Sequence, residues 1–212
     1  MTRPSRGVEG SPELVLGLGA GVAAAMLGVV TPAPVLGSLH TGPALAAPDL
    51  LAAPVAAFLR DWPRADDVAV APIDPGLADT AAFVEAYGVP ADASANCVVV
   101  SGRRDGVERI AACLVLATTR ADVNGVVRRL LDVRKASFLP TERAVEATGM
   151  EYGGITPLGL PQDWRVLVDA RVVAVEHVVV GSGVRHSKLV LPGAVLAALP
   201  RAEVVEALAT SV

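Results

Sequence analysis

A glycine- and proline-rich segment at residues 153–159, Gly-Gly-Ile-Thr-Pro-Leu-Gly, has the residue types that most directly suggest chemistry. Two adjacent glycines, a proline and a third glycine form a backbone that a ligand can approach without obstruction by side chains. Lys135 precedes this segment and opens a short apolar run, which predicts a strand with one cation at its end. A backbone cradle beside one ammonium suits an anionic or ester-bearing substrate. The alternative interpretation is that the segment is an ordinary turn.

Hydrophobic periodicity predicts the elements that would position this segment. In residues 49–62 the apolar side chains recur at helical spacing, and Asp49 is a suitable N-cap. Further helices are predicted at residues 79–87, 123–130, 142–148 and 192–199. Strands are predicted at residues 68–73, 97–101, 107–117, 165–168, 178–180 and 188–191, with a hairpin turn at residues 103–106. Because strands and helices do not alternate strictly, the predicted fold class is α+β with a mixed, largely antiparallel sheet.

The net charge of the chain argues against binding of a polyanion through a basic field over the whole surface. The 212 residues carry a net charge of −4, and 52% of them are hydrophobic. Residues 103–135 nevertheless hold eight basic and four acidic side chains, a local charge of +4. This excess indicates either a local basic face or a solvated helix with charged turns. Arg128 and Arg129, on the solvent side of their predicted helix, are the candidate contacts to nucleic acid.

Cysteine and histidine usage argues against several kinds of site. Cys97 and Cys113 each lie in an apolar run, which predicts buried free thiols rather than a disulfide. The three histidines, His40, His177 and His186, have no metal-ligand spacing, so no metal site is expected. No nucleophile elbow, phosphate-binding loop or dinucleotide fingerprint follows a predicted strand, and no cofactor is expected.

The amino-terminal region has a different composition from the remainder. Residues 14–39 contain no charged side chain, and three interpretations compete: a membrane anchor, a signal peptide, or an extension outside the fold. The glycines and prolines of this stretch weaken the interpretation as a membrane anchor. The possible cleavage site at residues 44–46 lies too far beyond the apolar core for a signal peptide. The organisation expected is an apolar extension at residues 1–45 and one domain at residues 46–212, located in the cytoplasm.

Several segments in order along the chain carry a resemblance to a known family. The sequence resembles the YbaK-type aminoacyl-tRNA deacylases, relatives of the editing domain inserted in bacterial prolyl-tRNA synthetases. The match covers roughly residues 50–200, and its segments are residues 96–100, 123–131, 134–135, 148–149, 153–159, 166–169 and 181–183. The resemblance implies a mixed sheet or partial barrel surrounded by helices. It also implies hydrolysis of the ester that joins a wrong amino acid to tRNA.

The resemblance also implies roles for individual residues. Lys135 matches a lysine placed near the terminal phosphate and ribose of the tRNA. Gly153 and Pro157 match a loop whose backbone holds the reacting ester, and Gly154 accompanies them. The substrate-binding residues implied are Asn96, Ile155, Thr156, Gly181, Ser182 and Gly183. The attacking group would be water, the ribose 2′-hydroxyl or the substrate side chain, without a metal or a protein nucleophile.

At two places the sequence departs from the family pattern, and both affect how far the family's residue roles apply to this chain. Many relatives carry a lysine where this chain has Asn96, and residues 181–186 replace a stretch richer in glycine and lysine. The partners expected are a mischarged aminoacyl-tRNA and, secondarily, an aminoacyl-tRNA synthetase, with no DNA and no membrane other than through residues 14–39. The alternative function is a non-catalytic module of the same fold that binds tRNA or an aminoacyl ligand, with or without a membrane tether.

Overall fold

The computed structural model describes Met1 and residues 36–211. Its strands are β1 (Gly42–Pro43), β2 (Ala69–Pro72), β3 (Ala95–Arg104), β4 (Val107–Leu116), β5 (Thr119–Ala121), β6 (Ala136–Phe138), β7 (Arg165–Asp169), β8 (Val178–Gly181), β9 (Ser187–Leu191), β10 (Ala202–Val205) and β11 (Ala209–Ser211). Its α-helices are α1 (Ala53–Asp61), α2 (Thr80–Tyr87), α3 (Arg128–Leu130), α4 (Thr141–Thr148), α5 (Ala170–Val173) and α6 (Gly193–Leu196). Single 3-10 turns lie at Ala44–Ala46, Pro48–Leu50, Ala65–Asp67, Pro75–Leu77 and Ala91–Ala93.

Two sheets carry the fold. The smaller has the order β1-β2-β9-β8, and each of its pairs is antiparallel. The larger has the order β10-β7-β4-β3-β6 and is antiparallel except where β7 pairs in parallel with β10 and β4. Strands β5 and β11 form a separate antiparallel ribbon. The prediction of an α+β fold with a mixed, largely antiparallel sheet is therefore confirmed, and the described sheets do not close into a barrel.

The hairpin of β3 and β4 is the centre of the larger sheet. Its strands pair from Ala95 opposite Leu116 to Arg104 opposite Val107. Asp105 and Gly106 connect them with φ angles of 52° and 80°. Positive φ at both turn residues matches the twist of the strands, which is why Asp-Gly is a strong hairpin signal. The turn predicted at residues 103–106 is present; β3 extends beyond its predicted bounds, and β4 ends one residue before its predicted end.

Glycines end two of the predicted helices. Gly88 after α2 and Gly149 after α4 adopt the left-handed conformation, with φ of 63° and 64°. This conformation turns the chain out of the helix at little steric cost for glycine. Both helices were predicted with these ends, because the signal depends on one residue and not on tertiary packing.

The first predicted helix begins later than the hydrophobic pattern indicates. Asp49 lies within a 3-10 turn and does not cap α1, whose N-cap is Ala52. Pro54 explains the shift, because proline has no N–H to donate and is accommodated in the first helical turn. The prediction of Asp49 as the N-cap is thus wrong.

Two further predicted helices differ in form. Residues Val123–Val127 form a π-helical turn, which Asp122 caps by accepting from the amides of Gly125 and Val126, and only then does α3 begin. The helix predicted at residues 192–199 is reduced to α6, with Pro192 as its N-cap. Strands β1, β5, β10 and β11 and helix α5 were not predicted.

The largest core cluster lies where the two sheets and three helices meet. Valine, leucine and alanine dominate it, as the composition indicates. Val55 and Leu59 of α1, for example, pack with Leu189 and Leu191 of β9, and all four are fully buried. Burial of such side chains contributes roughly 1.5–3 kcal/mol each. This packing supports the strands that border the candidate site.

Asp169 joins the end of β7 to the carboxyl-terminal ribbon. Its buried carboxylate accepts from the Arg171 backbone amide at 3.0 Å, from the Arg171 guanidinium at 2.8 Å and from the Ala209 amide at 3.0 Å. Burial raises the pKa of this carboxyl, but the hydrogen bonds from Arg171 and Ala209 outweigh burial and hold it below its usual range. The carboxylate therefore acts as a structural junction.

The boundary predicted at residues 45 and 46 does not coincide with the start of the fold. Residues Gly42–Pro43 form β1 and pair with β2, and Leu39 and Ala44 are buried. The residues from 36 onward therefore contribute to the sheet and the core. The anchor and signal-peptide interpretations rest on residues 14–39, and only the last four of these lie in the described part. Among the described residues, no helix combines the length and apolar character that a membrane crossing requires.

Candidate active site

A cavity of about 460 Å³ opens where the two sheets diverge. A single parallel bridge between Ser94 and Val179 joins the start of β3 to β8, and the strands separate beyond it. The cavity lies between these two strands and is closed by α2, α4 and the loop before residue 155. Its lining residues are Ala78, Asp79, Thr80, Phe83, Ser94–Val99, Phe138, Leu139, Thr141, Ala144, Tyr152, Gly153, Ile155, Val179–Gly181 and Lys188.

The edge of β3 brings unpaired backbone groups to this cavity. Strand β6 covers that edge only at residues 100–102, and Leu139 donates from its amide to the carbonyl oxygen of Val99 at 2.8 Å. Along a strand, N–H and C=O groups of alternate residues point to the same edge. The amide and carbonyl of Cys97, two residues before Val99, therefore face the gap beside the cavity rather than β4.

Lys188 supplies the cation of the cavity. Its side chain is only 8% exposed, and Nζ donates to the carbonyl oxygen of Ala78 at 2.8 Å. The ammonium also lies 5.5 Å from the centroid of the Phe83 ring. Burial, with a smaller contribution from the positive charge of Arg185 and against the opposing effect of Asp79, lowers the pKa of Lys188 to about 8. The group is therefore a cation at neutral pH that can lose its proton within the physiological range.

Arg185 fastens the loop that forms one wall to the beginning of α2. Its guanidinium lies 3.3 Å from Asp79 Oδ1, 3.3 Å from the Tyr152 carbonyl oxygen and 3.2 Å from the Pro75 carbonyl oxygen. Its backbone amide donates to Glu151 Oε2 at 2.6 Å. These contacts hold two segments distant in sequence on either side of the cavity opening.

The two glycine-rich segments pack against each other through their backbones. Gly183 donates from its amide to the Gly154 carbonyl oxygen at 2.8 Å, and Glu151 donates to the Gly183 carbonyl oxygen at 2.8 Å. A β-carbon on Gly154 would lie 2.7 Å from the backbone of Val184, and one on Gly181 would lie 2.2 Å from the Gly154 carbonyl oxygen. Such approaches exclude any side chain.

Gly153 stands at the cavity side of this junction. It has a φ of 78°, and a β-carbon there would lie 2.6 Å from Nη1 of Arg185. Within the described residues, the backbone amides of Gly153 and Ile155 donate no hydrogen bond, although both residues line the cavity. Together with the Cys97 amide, they are candidate donors to an oxygen that develops negative charge.

The residues of the cavity do not form a recognisable protein nucleophile. Burial raises the pKa of the Cys97 thiol well above its usual range, so that the thiolate is disfavoured at neutral pH. Among residues 36–211, no group of three or more His, Cys, Asp or Glu side chains could hold a metal ion. The arrangement is instead one cation and several backbone donors around a small cavity, which suits stabilisation of an oxyanion.

A family model described as the aminoacyl-tRNA editing domain matches residues 74–199. The match covers more than half of the chain and contains every residue that lines the cavity. The chain belongs to the aminoacyl-tRNA editing domain family. No curated protein matches the sequence.

Solved structures share the fold of this editing domain. A candidate trans-editing enzyme for prolyl-tRNA synthetase has a TM-score of 0.62 at 19% identity, over 73% of this chain and 94% of that chain. A scaffold protein from computational epitope backbone grafting gives 0.63 at 19% identity, with the same coverage of 73% and 94%. A hypothetical protein gives 0.56 at 20% identity, over 64% of this chain and 87% of that chain. At these identities the similarity is one of fold.

Four of the predicted site residues line the cavity of the editing domain. They are Asn96, Gly153, Ile155 and Gly181. Asn96, where many relatives carry a lysine, accepts at Oδ1 from the Thr80 hydroxyl at 2.7 Å. The structure therefore brings the start of β3 and both glycine-rich segments to the same cavity.

Other predicted residues are buried beside the cavity without lining it. Gly154 and Gly183 are occupied with each other, and the Ser182 hydroxyl donates to the Ser187 carbonyl oxygen at 3.0 Å. Thr156 is fully buried, and its Oγ1 has no hydrogen-bond partner among the described residues. Pro157 borders a second cavity of about 400 Å³ together with Phe58, Gly159, Leu160, Gln162, Val166, Pro200 and Arg201.

The predicted basic residues lie outside the cavity of the editing domain. Lys135 is exposed and precedes β6, and it is not among the lining residues. Arg129 is also exposed, and Arg128 donates from Nε to the carbonyl oxygen of Asn124 at 2.8 Å. The ammonium that the sequence places at Lys135 is thus found at the cavity in Lys188 instead.

Sequence reasoning missed Lys188, Asp79, Thr80 and Arg185 as residues of the site. Lys188 stands in a run predicted as a strand, where an isolated lysine ordinarily indicates a solvent-facing position. A usable signal existed, because Lys188 is the one charged residue in the otherwise uncharged segment 187–200. Because burial of an unpaired charge is costly, a charged residue within a buried run indicates either a polar partner or a functional role.

Proposed function

We propose that the protein is a trans-editing deacylase that hydrolyses the ester bond of a mischarged aminoacyl-tRNA. The observation that carries this proposal is the buried ammonium of Lys188 beside unpaired backbone amides in a cavity of about 460 Å³. A cavity of this size accommodates a small amino acid and its ribose. Membership of the editing domain family supports the same substrate class.

The chemistry requires positioning more than an activated protein group. An oxygen of water or of the ribose 2′-hydroxyl attacks the ester carbonyl, whose oxygen becomes negatively charged. Lys188 and the amides of Gly153, Ile155 and Cys97 stabilise that charge. The carbonyl then re-forms, the bond to the ribose oxygen breaks, and the proton released by the attacking group passes to that oxygen. Attack by water gives the free amino acid and the tRNA directly. Attack by the ribose 2′-hydroxyl transfers the acyl group to that oxygen as a new ester, which water must then hydrolyse in the same way.

The basic residues outside the cavity have a different proposed role. Exposed Lys135 and Arg129, together with half-buried Arg128, contact the tRNA backbone rather than the ester. Asn96 and Thr80 form a neutral pair at the cavity and contact the substrate through hydrogen bonds. The protein would act in the cytoplasm, where aminoacyl-tRNA is formed, and on substrate released by a synthetase.

A panel of mischarged and correctly charged tRNAs, incubated with the purified protein, tests the proposal. The expected result is rapid release of one or a few small amino acids from the mischarged species, above the spontaneous rate. A Lys188→Met variant removes the cation inside the cavity, and a Lys135→Ala variant, which removes a cation outside it, is the matched control. A pure binding module would bind the tRNA without accelerating deacylation of any member of the panel, and this result would exclude the enzyme.

A further inference from the structure

The aromatic residues of this protein are distributed unevenly. The chain contains three Phe, two Trp and two Tyr, and all seven lie within the described residues. Phe83, Trp62 and Trp164 are buried, and Phe58 and Tyr87 are half-buried. The remaining two, Phe138 at 57% and Tyr152 at 63% exposure, both line the cavity described above. The exposed aromatic surface is thus concentrated at one opening.

Both rings are attached to a fixed backbone. Phe138 ends β6, where it pairs with Val100, and the next amide, that of Leu139, donates to the Val99 carbonyl oxygen at 2.8 Å. The Tyr152 carbonyl oxygen accepts from Arg185 at 3.3 Å. The rings come from different segments and face a common opening. An exposed ring on an ordered backbone is a typical platform for stacking of a nucleobase.

The substrate chemistry places a nucleobase at this opening. The ester of an aminoacyl-tRNA is attached to the ribose of the terminal adenosine, so its base lies one sugar away from the reacting carbonyl. When the carbonyl approaches Lys188 inside the cavity, the base must lie near the mouth. We propose that Phe138 and Tyr152 form a stacking subsite for the terminal adenine of tRNA. This inference rests on the proposed function.

Hydrolysis of two matched substrates tests the subsite. One is a mischarged tRNA, and the other is the same tRNA with an abasic terminal nucleotide. Phe138→Ala and Tyr152→Ala should each lower kcat/KM for the complete tRNA by roughly 5- to 100-fold, the range that one stacked base contributes. They should have little effect on the abasic substrate. Tyr152→Phe should retain activity, whereas Phe138→Leu, which keeps apolar area without a π face, should lose it.

Two outcomes would overturn the subsite. One is full activity of both alanine variants on the complete tRNA. The other is an equal loss on both substrates, which would indicate that the rings shape the cavity or contact a protein partner. Melting curves verify that the variants fold.

Binding of uncharged tRNA provides a readout independent of hydrolysis. The wild-type protein should bind intact tRNA more tightly than tRNA with an abasic end, and the alanine variants should lose this preference. If the wild-type protein hydrolyses no ester but keeps the preference, the proposed function fails and the base subsite stands. If it hydrolyses esters without any preference for the terminal base, the subsite fails and the function stands.

Discussion

Nζ of Lys188 lies 2.8 Å from the carbonyl oxygen of Ala78, so that strand β9 is joined to the residues that begin helix α2. An ammonium has three protons, and this carbonyl accepts one of them. The others are available to a ligand in the cavity. A lysine that served only to join two elements would not require a cavity on its other side, which leads to the first prediction.

Lys188→Met should abolish most of the activity while keeping the volume of the side chain. Loss of a donor to the developing oxyanion ordinarily lowers kcat by about 10²–10³. The measurement is single-turnover deacylation of the preferred mischarged tRNA. Lys135→Ala is the control, and it should leave hydrolysis of a small aminoacyl ester unchanged because Lys135 lies outside the cavity. The assignment fails if Lys135→Ala loses this activity and Lys188→Met keeps it.

The same Lys188→Met variant should be more stable than the wild-type protein at pH 7, by about 1–2 kcal/mol. Burial lowers the pKa of Lys188 from 10.5 to about 8, so the folded state carries a disfavoured charge below pH 8. Between about pH 8 and 10.5 the unfolded chain binds more protons, and the unfolding free energy of the wild-type protein rises with pH. The difference from the variant should therefore shrink across this window. Urea unfolding at pH 7 and at pH 10 measures it, and a constant difference would contradict the burial of the charge.

Gly153 and Gly154 should respond differently to alanine. Gly154→Ala places a β-carbon 2.7 Å from the Val184 backbone and should destabilise the fold by about 1–3 kcal/mol. Activity per folded molecule should fall less than for Gly153→Ala, which displaces Arg185 at the cavity and should lower kcat/KM by about 10²-fold. Thermal melts and turnover corrected for the folded fraction separate the two effects. Equal losses of activity per folded molecule would place Gly154 in contact with the ester.

Asp169→Ala should destabilise the protein by about 2–4 kcal/mol without changing activity per folded molecule. The variant leaves the Ala209 amide without its acceptor and removes both hydrogen bonds that the Arg171 guanidinium donates to the carboxylate. Because the pKa of Asp169 is lowered in the folded state, its contribution is present above about pH 4 and is lost as the pH falls further. Denaturant unfolding of both proteins at pH 3 and pH 6 should give a smaller difference at pH 3. A selective loss of kcat would instead indicate a catalytic role.

Replacement of Arg128 and Arg129 by glutamate should raise KM for aminoacyl-tRNA and leave hydrolysis of a small aminoacyl ester unchanged. Each lost phosphate contact reduces the slope of log affinity against log salt by about one unit or less. Binding of tRNA across a salt series provides this slope for the wild-type and variant proteins. If neither KM nor the slope changes, the tRNA body does not contact this helix, and Lys135 becomes the next candidate.

Features that depend on one residue's backbone preference were predictable from the sequence. Asp105 and Gly106 form the hairpin turn because both adopt positive φ, and Gly88 and Gly149 end their helices for the same reason. The glycine-rich loop was also recognisable. Its residue types restrict what the backbone can do before any tertiary contact forms.

Features that depend on contacts between distant residues were not predictable in this way. Lys188 contacts Ala78, which lies 110 residues earlier in the chain, and no local pattern connects the two positions. Pro157 was expected to face the ester with Gly153, yet it borders the second cavity because the loop turns between them. The short strands β10 and β11 exist through pairing with β7 and β5, and their sequences do not alternate clearly.

The backbone junction between Gly154 and Gly183 also bears on how selectivity could change over time. A wall made of main chain cannot move outward for a larger substrate, so the cavity has a fixed width on that side. The side chains that border the cavity, such as Val98, Ala144 and Val180, are small and apolar and take no part in that junction. Adding or removing one or two methyl groups at one of these side chains should alter which amino acid fits the cavity, while the backbone junction stays intact. Under the proposed function, single substitutions at these positions should therefore be enough to change which amino acid is released.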